Sequence, residues 1–172
     1  MAHVKVVRRS MRPEEWTDLR FVWLQRGIYE DKFEITDLEI RDARQISEDQ
    51  YEYYSDEYRP LKKDDMYFTP DGTAFIRGHV QIPAHMKGKN IYFTLHTAAE
   101  MIVKINGKYV GGVDPNRERI LLNPYIDSDD LTIEIEAYNR SKPDDERNPA
   151  SLAHRGCRQI FEGAYLSTIR DN

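Results

Sequence analysis

The chain has 172 residues, enough for one domain with a core of ordinary size, and 40% of them are hydrophobic. A formal net charge of −5 and a pI of about 5.6 argue against nucleic acid as a partner, because phosphate binding needs a basic face. The lone cysteine, Cys157, excludes an intrachain disulfide and a cysteine-based metal cluster, and no apolar run reaches membrane-spanning length. The opening MAHVKVVRRSMRPEEW has no apolar leader, so a soluble, cytoplasmic protein without membrane contact is expected.

Val4–Val7 reads as a short strand before Arg8-Arg9. Over Ser10–Leu24, an N-cap serine, early acidic residues, and Trp16, Leu19 and Trp23 at helical spacing predict a short helix. Phe21–Leu24 fits a strand equally well. The expected division is an N-terminal arm with the first strands over residues 1–45 and a β-sandwich over 46–172, forming one domain.

Phe33-Glu34-Ile35 and Leu38-Glu39-Ile40 alternate with period two, as edge strands do. Gln45–Arg59 is acidic and carries Tyr51, Tyr53, Tyr54 and Tyr58. These rings are expected to pack at a loop-to-sheet junction, with stacking on sugar rings as their alternative use. Thr69-Pro70-Asp71-Gly72 has the composition of a turn, since Pro presets φ and Gly accepts a left-handed position. Beyond it Ile76, Gly78, Val80 and Ile82 share one strand face, with Phe75, Arg77, His79 and Gln81 on the other. Pro83 stops that strand because it has no N–H for a ladder.

Ile91, Phe93 and Leu95, then Met101, Val103 and Ile105, form inward sets. Asn106-Gly107 supplies the two positive-φ residues of a type I′ hairpin, and Gly111-Gly112 permits a bulge in the returning strand. Arg119–Leu122 is a short strand. Leu131, Ile133, Ile135 and Ala137 mark the cleanest half-buried strand in the chain. After the polar loop Arg140–Arg155, Ile160–Leu166 returns to the sheet. Short strands separated by turn signals make the chain mainly β: an antiparallel β-sandwich of jelly-roll or galactose-binding-like type, with a short N-terminal helix or arm.

Local signatures of chemistry are few. His3, His79, His85, His96 and His154 form no HExxH pattern, and no phosphate-cradling glycine loop or GxSxG elbow occurs. Arg155 and Arg158 beside Cys157 favour a thiolate, but nothing nominates a base, so the thiol reads as inert. Glu134 and Glu136 share a strand face and read as solvated rather than catalytic. The runs Asp127-Ser128-Asp129-Asp130 and Asp144-Asp145-Glu146 offer oxygen ligands without EF-hand spacing, and read as solvated.

The stretch IPAHMKGKNIYFTLHTAAEMIVKINGKYVGGVDPNRERILL resembles the N-terminal domain of family 38 glycoside hydrolases, the α-mannosidases. The matching features are Ile82-Pro83, Gly88-Lys89, Glu100, Asn106-Gly107-Lys108, Gly111-Gly112 and Asp114, followed by IEIEAYNR at Ile133–Arg140 and FEGAYL at Phe161–Leu166. The resemblance covers roughly residues 66 to 169, and family 2 glycosidases share a similar Asn-Gly hairpin. It implies a non-catalytic sandwich that supports the catalytic domain of the same enzyme and shapes its substrate entrance, with mannosides or other glycans as partners. The family's zinc site opens on a His-x-Asp motif with an Asp nucleophile, which these residues lack, so zinc is expected only in the catalytic domain. No catalytic residue, metal ligand or cofactor is therefore expected in this chain.

Arg117 stands where the family often has a histidine. Turn geometry accounts for Asn106, Gly107, Gly111 and Gly112, which leaves Glu100, Asp114 and Arg117 as candidates for contact with sugar or a neighbouring domain. The alternative is a free-standing carbohydrate-binding module that uses exposed rings such as Tyr53, Tyr54, Tyr58 or Tyr92.

Overall fold

Residues 29–65, 72–95, 99–114, 117–138 and 161–169 are described by a computed structural model of the chain. The expectations for Val4–Val7, the helix at Ser10–Leu24, most of the Thr69–Gly72 turn, the loop Arg140–Arg155 and Cys157 lie outside these residues. The strands are β1 (Tyr29–Ile35), β2 (Leu38–Ser47), β3 (Gln50–Tyr53), β4 (Arg59–Pro60), β5 (Thr73–Gln81), β6 (Ile91–Leu95), β7 (Glu100–Ile105), β8 (Lys108–Val113), β9 (Arg119–Leu121), β10 (Asp130–Tyr138) and β11 (Ala164–Ile169). They form two antiparallel sheets, ordered β1-β11-β6-β9 and β3-β2-β5-β10-β7-β8, with β4 paired to β2.

β10 alternates without a break. Leu131, Ile133, Ile135 and Ala137 are buried between the sheets, and Thr132, Glu134, Glu136 and Tyr138 are exposed. It pairs β5 along its whole length, from Asp130 opposite Gln81 to Tyr138 opposite Thr73, and β7 from Ile133 opposite Ile105 to Tyr138 opposite Glu100. Ile76 and Val80 of β5, Met101, Val103 and Ile105 of β7, and Phe93, Leu95 and Leu166 of the other sheet complete the same core. Its largest fully buried side chains include Phe93, Ile40, Leu61, Ile76 and Met86.

The predicted hairpin forms as its residues dictate. Asn106 and Gly107 have φ of 50° and 74°, the left-handed pair that a type I′ turn needs. Asn106 also works beyond its own turn, because its Oδ1 accepts the Thr132 N–H at 2.8 Å and the Thr132 hydroxyl at 3.2 Å. The tip of the β7–β8 hairpin is thus fastened to β10. In β8 the register shifts, so that Gly111 faces Val103 while Tyr109 faces Lys104. The residue between them, Val110, is the extra one of a bulge, which turns both Val110 and Val113 inward despite their odd spacing.

One expectation is corrected. β1 is an edge strand as anticipated, but Leu38–Ile40 belongs to an interior strand, since β2 lies between β3 and β5 and Ile40 is fully buried. The chain crosses between sheets at Thr36-Asp37, where the Asp37 carbonyl accepts the His79 N–H at 3.1 Å. The tyrosine-rich stretch is also partly strand, because β3 folds back on β2 with Ala43 opposite Tyr53.

The Thr36-Asp37 crossing needs glycine at position 78. A Cβ there would lie 2.4 Å from both the Asp37 carbonyl oxygen and Leu38 Cδ2. Gly78→Ala should therefore cost about 1–3 kcal/mol in urea denaturation, the usual range for forced overpacking; an unchanged midpoint would show that the crossing is free to relax. Asn106→Gly keeps the positive φ and loses the bonds to Thr132. It should fall between wild type and Asn106→Ala, which loses both and is expected to be lower by about 2 kcal/mol. An Asn106→Gly variant as stable as wild type would mean that the side-chain bonds contribute nothing.

Candidate functional site

Because β2, β5, β10, β7 and β8 pair in fixed register, their outward side chains line up in rows across the strands. One row reads Glu39, Arg77, Glu134, Lys104, Tyr109, each directly opposite the next. The adjacent row reads Arg41, Phe75, Glu136, Ile102, Gly112, and the third Ala43, Thr73, Tyr138, Glu100. Neighbouring strands lie about 4.8 Å apart, so acidic and basic groups alternate at that interval along the first row.

A groove of about 520 Å³ runs over this face. Its floor includes Arg77, Thr132, Glu134 and Lys104, with Tyr58 lining it at the β2 side and Tyr109 at the β8 side. Arg77 bonds Glu39, with Nη2 at 2.7 Å and Nε at 2.9 Å from the same carboxylate oxygen. Tyr109 is 68% exposed and Ile102 is 52% exposed, although both belong to strands. The Lys104 ammonium lies 4.6 Å from the centre of the Tyr109 ring. Among the described residues, Glu134 and Lys104 form no ion pair with each other or with any other side chain.

The groove wall at Tyr58 is built by cations packed on aromatic rings. Arg41 sits 3.6 Å from the Tyr53 ring centre and 4.8 Å from that of Tyr58, and Arg77 sits 4.0 Å from Tyr58. Tyr51 meets Phe75 edge-on at 4.9 Å, and Tyr53 tilts against the same ring at 5.6 Å. The tyrosines therefore pack where loop meets sheet, and the rings of Tyr53 and Tyr58 carry guanidinium groups. Tyr54 is exposed, and Tyr92 belongs to the other sheet, opposite Ser167 and Leu121.

The remaining sequence candidates fall near this face without lining the groove. Glu100 is the first residue of β7, exposed and paired opposite Tyr138 in the third row. Asp114 follows β8 and is clasped to Arg117: the Arg117 N–H donates to Oδ1 at 3.0 Å and Nε donates to Oδ2 at 3.2 Å. Since Met101 pairs with Val113, Glu100 and Asp114 lie at the same end of the hairpin, away from Asn106-Gly107. Glu134 and Glu136 are exposed on the outward side of β10, as in a half-buried strand. In the acidic loop each carboxylate has a nitrogen-bearing side chain beside it: Asp127 bonds Lys108 at 3.0 Å, Asp129 bonds Lys87, and Asp130 bonds the His79 ring. Among the described residues no three His, Cys, Asp or Glu side chains come together as a metal site.

The Tyr51 hydroxyl donates to Glu136, and this bond, with burial and the nearby carboxylates, pushes its pKa up to about 12. The unfolded chain loses that proton near pH 10. The folded state thus holds more protons between about pH 10 and 12, and the stability supplied by the bond is full below pH 10 and lost through that window. Tyr51→Phe should flatten the fall in unfolding free energy between pH 9 and 12, measured by chemical denaturation. An equally steep fall in the variant would assign the alkaline loss to other groups.

No protein-family model and no curated protein matches the chain. Solved structures with a similar fold include a β-D-glucuronidase of Dictyoglomus thermophilum, 21% identical over 64% of this chain and 20% of that one, with a TM-score of 0.40. A calcium-binding mutant of Bacteroides uniformis β-glucuronidase 2 is 19% identical over 80% of this chain and 18% of that one, at 0.46. A family 2 glycosyl hydrolase from Bacteroides cellulosilyticus is 15% identical over 81% and 21%, at 0.43. None of the three is described as an α-mannosidase, and the chain spans about a fifth of the length of each. Likeness this distant fixes neither ligand nor activity.

Proposed function

We propose that the chain is a non-catalytic β-sandwich domain of a glycoside hydrolase, of α-mannosidase type, which supports the catalytic domain of the same enzyme. One observation carries this reading. The stretch from Ile82 to Leu122, which bears the resemblance, contributes β6 and β9 to one sheet and β7 and β8 to the other. The stretch therefore reaches into both sheets and is not a detachable loop. Glu100, Asp114 and Arg117 cluster near the hairpin end and serve, on this reading, as contacts for the catalytic domain or its substrate. The zinc of such an enzyme would belong to the catalytic domain, with its His-x-Asp motif.

The polypeptide alone should release no nitrophenol from nitrophenyl α-mannosides or β-glucuronides. Its coding frame should continue beyond Asn172 into a segment carrying a glycosidase motif, and that segment should bind this domain when the two are produced separately. Hydrolysis by the isolated chain, or a frame with no glycosidase segment, would overturn the proposal.

A further inference from the structure

We infer that the groove over β5, β10, β7 and β8 is a binding site for a short neutral saccharide. Its volume of about 520 Å³ lies within the usual range of small-ligand sites, and its floor is made of side chains fixed on paired strands rather than on loops. Four features set the ligand's chemistry.

The first is the unspent polarity of the floor. Glu134 is an acceptor and Lys104 a donor with no ion-pair partner among the described residues, and they face each other across β10 and β7. Arg77 and Glu39 continue the same row with a donor and an acceptor already oriented by their own pair. A hydroxyl both donates and accepts, so adjacent hydroxyls of one ring can bridge neighbouring members of such an alternating row. The second is charge. Asp37, Glu39, Glu134 and Glu136 line the groove against Arg77 and Lys104 as permanent cations, which disfavours phosphates, nucleic acids and acidic sugars.

The third is the apolar side. Tyr109 and Ile102 stand more than half exposed next to Glu134 and Lys104, giving the C–H face of a sugar ring an apolar surface beside the polar row. The fourth is access. An extended peptide gains its affinity by adding to a sheet edge, whereas this groove lies on a sheet face, mostly over β5, β10 and β7, each paired on both sides. The choice of a glycan among polyhydroxylated ligands rests on the glycosidase reading above; the binding chemistry of the groove does not.

Isotope-labelled chain should be titrated with mannotriose, cellotriose and xylotriose to about 10 mM, where a ligand with a Kd near 1 mM is close to saturating. At least one should shift the amide resonances of Glu134, Lys104 and Tyr109 in a saturable way. Glu134→Ala and Tyr109→Ala should each weaken binding at least tenfold with unchanged melting temperature. Ile46→Ser, exposed near the end of β2 and away from the groove, should leave it unaltered. Absence of binding by all three sugars, or binding that survives both groove substitutions, would overturn the inference. Either result would leave the accessory-domain reading standing if the domain still associates with its catalytic segment.

Discussion

The register of β10 is the constraint on which the rest of the molecule depends. It is hydrogen-bonded on both sides, to β5 over nine residues and to β7 over six, with every second side chain in the core. Side chains along a strand alternate with period two, so a slip of one residue would send Glu134 and Glu136 into the core and Ile133 and Ile135 into water. The burial of Leu131, Ile133, Ile135 and Ala137 forbids that slip. The same register places Glu134 between Arg77 and Lys104. The hydrophobic core thus positions the polar face without touching it.

The tyrosine and arginine side chains on that face have a positional role more than an energetic one. Exposed cation–π contacts contribute roughly 0.5–1 kcal/mol each, and a surface ion pair such as Glu39–Arg77 contributes about 0–1 kcal/mol. What the contacts do is restrict rotamers. Arg77 is held by Glu39 on one side and Tyr58 on the other, and Arg41 is held between Tyr53 and Tyr58. Long side chains that would otherwise sample many conformations are fixed before any ligand arrives, which lowers the entropy lost on binding.

Much of the fold is legible in the residues because half-buried strands announce themselves by alternation. β5, β7 and β10 and the Asn106-Gly107 turn follow directly from it. β2 is less legible. Past Ile40 its buried and exposed positions lose the simple period, with Arg41 and Asp42 both half-buried, because β3, β4 and the Tyr58 loop cover its outer side. The groove row could not be read at all. Glu39, Arg77, Glu134 and Lys104 come from four strands, and only the pairing registers make them neighbours. Asn106 shows the same limit on a smaller scale: turn chemistry explains its backbone, while its bond to Thr132 spans 26 positions. The tyrosine cluster was visible as a junction, but nothing local nominated Arg41 or Arg77 as its partners.

The bulge in β8 has a consequence outside the domain itself. β8 is an edge of the larger sheet, and an unbroken edge strand is an open template on which a second chain can polymerise. Val110 interrupts the ladder, Gly111 takes a φ of 151°, and Lys108 opens the strand with a charge bonded to Asp127. A kinked, partly charged rim offers no continuous set of backbone donors and acceptors to an incoming strand. The distortion that lets two valines reach the core also keeps one molecule from extending its sheet into the next.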